Sequence, residues 1–75
     1  MQIKKELSDR IRDLRKKRGY TQIQLAEETQ VDQSTVSYWE KGRQEPNKKQ
    51  RERLCHALKI TQSKLFEGLW QYDIY

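Results

Sequence analysis

The stretch TQIQLAEETQVDQSTVSYWEKG, residues 21–42, is almost wholly polar, yet it holds two apolar groups at helical spacing and a tryptophan. Thr21-Gln22-Ile23-Gln24 has the form of a capping box, in which Thr21 accepts from the Gln24 amide and the Gln24 side chain reaches back to the Thr21 amide. Tyr20 and Leu25 stand where a hydrophobic staple belongs. A helix is expected over residues 22–29, burying Ile23, Leu25 and Ala26. Asp32 is a good N-cap for a second helix that stops before Gly42. At 100° per residue from Gln33, Val36 and Trp39 fall at about 300° and 240° and Thr35 at about 200°, so these three face inward. Gln33, Ser34, Ser37 and Lys41 lie opposite, at about 0°, 100°, 40° and 80°, with Tyr38 on the shoulder at about 140°. Trp39 thus holds the helix to the body and leaves Gln33, Ser34, Ser37 and Tyr38 outside.

Outward from this pair, Ile3, Leu7, Ile11 and Leu14 recur at steps of four, four and three, which marks one face of a helix. Gly19 supplies the left-handed residue that ends it, and Tyr20 folds back on Leu14 beyond that cap. On the other side Pro46 breaks the chain, and Asn47 with Gln50 forms another capping pair. The helix that follows runs to about Leu58 and is apolar only in its second half, at Leu54, Cys55, Ala57 and Leu58. Thr61 caps a short fifth helix holding Leu65 and Phe66, with Ile60 placed to staple onto Leu65 and Gly68 ending it. No segment before the last residues alternates with period two. The fold class is all-α: five short helices over residues 1–67, then an aromatic tail over 68–75.

Seventy-five residues make one small domain, and with 33% hydrophobic residues its core is thin. Sixteen Lys and Arg against eleven Asp and Glu give a net charge of +5, which favours polyanionic partners. A single cysteine, Cys55, excludes an internal disulfide, and one Cys with one His supports no metal site. On the apolar side of its helix Cys55 reads as core filler before a redox sensor. Neither a signal peptide nor a membrane-spanning run is present, so a cytoplasmic protein with no membrane partner is expected.

The outward residues of the Asp32-led helix are mostly short, uncharged hydrogen-bonders. Gln pairs with adenine through N6 and N7, Ser bonds either kind of base edge, and an aromatic ring touches a thymine methyl. A merely solvated face reads the same residues as well. The charge map supplies context, since this helix is near neutral while cations flank it. Arg15 to Arg18 precede it, and Lys41, Arg43, Lys48, Lys49, Arg51 and Arg53 follow. A neutral surface between cations suits a duplex, where phosphates position and bases specify.

The run LRKKRGYTQIQLAEETQVDQSTVSYWEKGRQEP, residues 14–46, resembles the helix-turn-helix of the phage repressor and Cro-type (Xre-like) DNA-binding family. The resemblance rests on Gly19, Thr21-Gln22, Leu25-Ala26, Val31, Ser34 to Ser37, Trp39-Glu40, Gly42 and Pro46. It implies a lambda-repressor-like fold whose recognition helix begins after Asp32 and enters the major groove. Gln33, Ser34 and Tyr38 match positions that touch bases, with Ser37 a weaker candidate. Gln22, at an exposed helix N-terminus, and Arg43 match backbone-contacting positions; Lys41, Lys48 and Lys49 join them as phosphate contacts. Arg15 and Glu40 resemble a pair that ties the first helix to the third, of small energetic value if exposed. The chain departs from the family at Gln30, where Gly is usual, and a left-handed Gln30 costs about 1 kcal/mol. It departs again at Gln50 and Arg51, where an aliphatic residue is usual. The first turns there either pack loosely or serve phosphates through Lys48, Lys49 and Arg51.

Such domains bind pseudo-palindromes as dimers, with half-sites about one helical turn apart. Trp70, Tyr72 and Ile74 alternate with polar neighbours, so the tail either reaches across to a second subunit or closes over the first and fifth helices as a lid. The expected protein is a sequence-specific double-stranded DNA-binding regulator, a repressor acting as a homodimer, without cofactor or small-molecule ligand. An antitoxin-like or adaptor module on the same fold is the alternative. An enzyme is disfavoured, for no nucleophile–His–carboxylate set and no phosphate-binding loop appears.

Overall fold

The computed structural model describes residues 3–69, with side chains from residue 5 onward. Five helices run in order: α1 Ile3–Lys17, α2 Gln22–Thr29, α3 Gln33–Lys41, α4 Lys48–Leu58 and α5 Gln62–Leu65. Among the described residues every regular element is helical, so the fold is the all-α arrangement that the 3.6-residue periodicity predicts. Helix α3 packs on α1 and α2, α2 also meets α4, and α5 closes the bundle against α4 and α1.

Local chemistry sets most boundaries. Thr21 accepts from the Gln24 amide at 3.1 Å while the Thr21 amide donates to Gln24 Oε1 at 2.9 Å. Asn47 and Gln50 make the same reciprocal pair at 2.8 and 2.9 Å, and Thr61 accepts from the Lys64 amide at 3.1 Å. Each pair satisfies donors that a helix start otherwise leaves open. Asp32 has the extended backbone of an N-cap, but its side chain makes no capping bond. Helix ends use the left-handed region at Gly19, Gln30, Gly42, Lys59 and Gly68. Gln30, at φ 61°, takes the conformation expected where the family has glycine. Lys59, at φ 57°, does so with no glycine-like signal in the sequence.

The core gathers Leu7 and Ile11 of α1, Leu25 and Ala26 of α2, Val36 and Trp39 of α3, then Leu54, Cys55, Ala57, Leu58, Leu65, Phe66 and Leu69. Leu14, Tyr20, Val31 and Ile60 pack against it from its edge. Burial pushes the Cys55 thiol above its ordinary range, and the Arg51 guanidinium offsets part of that rise. Thr29 is also fully buried, because its hydroxyl donates to the Leu25 carbonyl at 2.7 Å.

Two expectations are corrected. Ile23 is 54% exposed rather than buried. The inward face of α2 is Leu25, Ala26 and Thr29, and at 100° per residue Ile23 lies about 160° from Leu25. The start of α4 does not pack loosely, since Arg51 is half-buried with its guanidinium 5.9 Å from the Phe66 ring centre. The cation over the ring engages Arg51 with the body of the domain.

Arg10 ties the ends together. Its guanidinium donates to the carbonyls of Lys64 at 3.0 Å, Leu65 at 3.2 Å and Glu67 at 2.7 Å, closing the C-terminal end of α5 onto α1. The tail residues Trp70, Tyr72 and Ile74 lie outside the described residues.

Candidate nucleic-acid interface

Helix α3 is held from beneath. Val36 and Trp39 are 0% and 1% exposed, so two apolar side chains one turn apart fix its rotation about its own axis. Thr35, the third residue expected inward, is half-buried. Glu40 is buried too, with the Arg15 guanidinium donating from Nε to Oε2 at 2.6 Å and from Nη2 to Oε1 at 3.1 Å. Side-chain exposures of 11% for Arg15 and 4% for Glu40 place this pair inside the protein, so the small value of an exposed ion pair does not apply.

The pair belongs to a larger network that residue spacing gives no hint of. Arg15 Nη1 donates to the Tyr20 carbonyl at 2.9 Å, and Gln22 Nε2 donates to Glu40 Oε1 at 3.1 Å. The end of α1, the start of α2 and the end of α3 therefore meet on one carboxylate. Gln22, expected at a phosphate, is half-buried and directs its amide nitrogen to Glu40. That orientation leaves its carbonyl oxygen and one N–H for other partners.

With the inner side committed, the outer surface of α3 carries Gln33, Ser34 and Lys41, all exposed, and Tyr38, at 43% exposure. Ser37 is half-buried and sits lower on that surface. Gly42 closes the helix at φ 73°, and the Arg43 amide donates to the Tyr38 carbonyl at 2.9 Å. Arg43 is thus pinned immediately past the helix end with its side chain exposed. Lys48 and Lys49 open α4 and are exposed; among the described residues no hydrogen bond or ion pair joins them to α3. What this arrangement offers is a set of donors and acceptors on one rigid helix, in a chain of net charge +5.

Among the described residues, no group of three His, Cys, Asp or Glu side chains could hold a metal ion. No helix there is long and apolar enough to cross a membrane.

The fold is similar to that of the clp gene regulator ClgR from Corynebacterium glutamicum. One ClgR structure superposes with a TM-score of 0.83 at 26% identity, over 92% of this chain and 73% of that one. A second covers 88% of its own chain at the same TM-score. A tyrosine-to-phenylalanine variant of the restriction-modification controller protein C.Esp1396I superposes at 0.81 with 24% identity, over 95% of this chain and 90% of that one, a likeness of fold alone. A search of curated proteins gives no match. The family model described as helix-turn-helix matches residues 11–65, most of the chain and all of α2, α3 and α4, and the protein belongs to that family.

Proposed function

We propose that the protein is a sequence-specific double-stranded DNA-binding transcriptional regulator, a repressor that binds a pseudo-palindromic operator as a homodimer. The observation that carries the proposal is the mounting of α3. Its inner face is locked by Val36, Trp39 and the Arg15–Glu40 pair, while Gln33, Ser34, Tyr38 and Lys41 stand free on the outside. A rigid helix with a polar outer face is what the major groove admits and what base edges require.

In this reading the amino end of α3 enters the groove. Gln33 reads an adenine edge, Ser34 an adjacent base, and Tyr38 a thymine methyl, with Ser37 in a lesser role. Gln22, Lys41, Arg43, Lys48 and Lys49 take phosphates, each neutralised charge adding about −0.9 to the slope of log K against log salt. The likeness to ClgR, a gene regulator, supports the regulatory assignment. The tail, through Trp70, Tyr72 and Ile74, joins two subunits so that two recognition helices meet half-sites about one helical turn apart.

The test is a selection of bound duplexes from a random DNA pool near physiological salt, followed by sequencing. An inverted repeat is the expected product. Recovery of duplexes with no shared motif, bound only in proportion to falling salt, would remove the reading role of α3.

A further inference from the structure

We propose that Asp32 is a specificity-determining residue: its carboxylate accepts from the amino group of a cytosine beside the base pair that Gln33 reads. The inference deepens the DNA-reading function proposed above and rests on it.

Three observations place the carboxylate. The backbone of Asp32, at φ −73° and ψ 153°, is that of a helix N-cap, yet the side chain makes no capping bond. Asp32 is exposed, next in the chain to the exposed Gln33 and Ser34, and none of the four ion pairs among the described residues includes it. Its backbone is anchored all the same. The Val31 amide donates to the Ala26 carbonyl at 3.0 Å, Val31 packs against the core, and the Asp32 carbonyl accepts from the Thr35 amide at 3.0 Å. A free carboxylate is therefore held at the tip of the helix that reads.

The chemistry then selects the base. Gln, Ser and Tyr side chains both donate and accept, and so tolerate several base edges, whereas a carboxylate only accepts. In the major groove guanine offers two acceptors and thymine one acceptor and a methyl, so neither bonds to it. Adenine offers an amino donor with the N7 acceptor beside it, which repels a carboxylate. Cytosine offers an amino donor with no acceptor on its major-groove edge. Cytosine remains. The same negative charge lies among phosphates, so it weakens binding to every duplex, and only a duplex with the amino group in place compensates.

The experiment compares the wild-type protein with Asp32→Asn and Asp32→Ser, by selection from a random duplex pool and by thermal melting. Both replacements are good N-caps, so folding is retained. The wild-type motif is expected to hold one cytosine position per half-site, where both variants lose about tenfold in preference. The other positions stay unchanged, and binding to random duplexes tightens severalfold. An unchanged motif in both variants overturns the assignment. So does uniform tightening with every preference kept, which places the carboxylate beside phosphates, and so does a lowered melting temperature with equal weakening on all sequences, which makes Asp32 structural. A wild-type protein that selects no motif overturns the DNA-reading proposal itself, and this inference with it.

Discussion

Glu40 sits where a carboxylate is costly unless fully paired: Arg15 and Gln22 both donate to it, and the Tyr20 carbonyl accepts from Arg15 in turn. Removing one partner of a buried pair leaves the other charge without compensation, so Glu40→Ala is expected to destabilise the protein by about 3–5 kcal/mol in urea unfolding. A loss under about 1 kcal/mol would mean that Arg15 reaches solvent when freed. Gln33 lies at the opposite extreme, exposed and unburdened by packing. Gln33→Ala is expected to leave the melting temperature unchanged and to weaken the selected site by about 1–3 kcal/mol, relaxing one position. Equal weakening on every duplex would place Gln33 at the backbone. At Cys55, burial raises the thiol pKa in the folded chain. Below the ordinary thiol range both states hold the proton; as pH rises through it, the unfolded chain ionises first and stability falls until the folded thiol follows. Stability against alkaline pH should therefore fall more steeply for the wild-type protein than for Cys55→Ala, in parallel urea titrations.

Among the helices, the starts are chemically explicit and the ends are less so. The capping boxes at Thr21 and Asn47 are legible because both partners lie within four residues, where backbone geometry brings them together whatever the rest of the fold does. Gly19 and Gly42 mark two ends for the same reason. Gln30 and Lys59 end α2 and α4 in the left-handed region without glycine, and each carries about 1 kcal/mol of backbone cost. Replacing either with Gly relieves that cost and adds some freedom to the unfolded chain, for a net gain of about 0.5 kcal/mol. A raised denaturation midpoint with unchanged slope is the expected readout; a lowered one would mean that the side chains hold these turns. The end of α4 at Leu58 lies where the sequence places it, but the left-handed Lys59 beyond it carries no glycine-like signal, and the turn is closed by the Lys59 and Ile60 amides donating to the His56 and Cys55 carbonyls. Ile23 lies outside where the sequence predicts it inside, since a helix of eight residues has too few apolar positions to define its face from periodicity alone.

For the whole molecule, the proposed homodimer turns on what the tail does. Leu69 is buried in the core, and Arg10 fixes the carbonyls just before it, so the body of the domain extends through residue 69. Truncation after Leu69 keeps every described core residue and removes residues 70–75. If the tail joins subunits, that truncation lowers the mass in sedimentation from dimer to monomer and leaves the melting temperature nearly unchanged at high dilution. An unchanged mass with a lower melting temperature would make the tail a lid instead.

The sequence by itself determined the order of the helices, the caps at Thr21, Asn47 and Thr61 and the inward turn of Val36 and Trp39, because these depend on contacts within about one turn of helix. It also displayed the outward chemistry of Gln33, Ser34 and Tyr38, since a helix with Trp39 inside has little choice about what lies outside. Only the tertiary structure decided that the Arg15–Glu40 pair is buried, that Gln22 shares it, that Arg51 lies on Phe66 and that Asp32 is left uncapped. Burial and side-chain partnership between residues 15 to 25 apart are properties of packed helices, and no local periodicity encodes them.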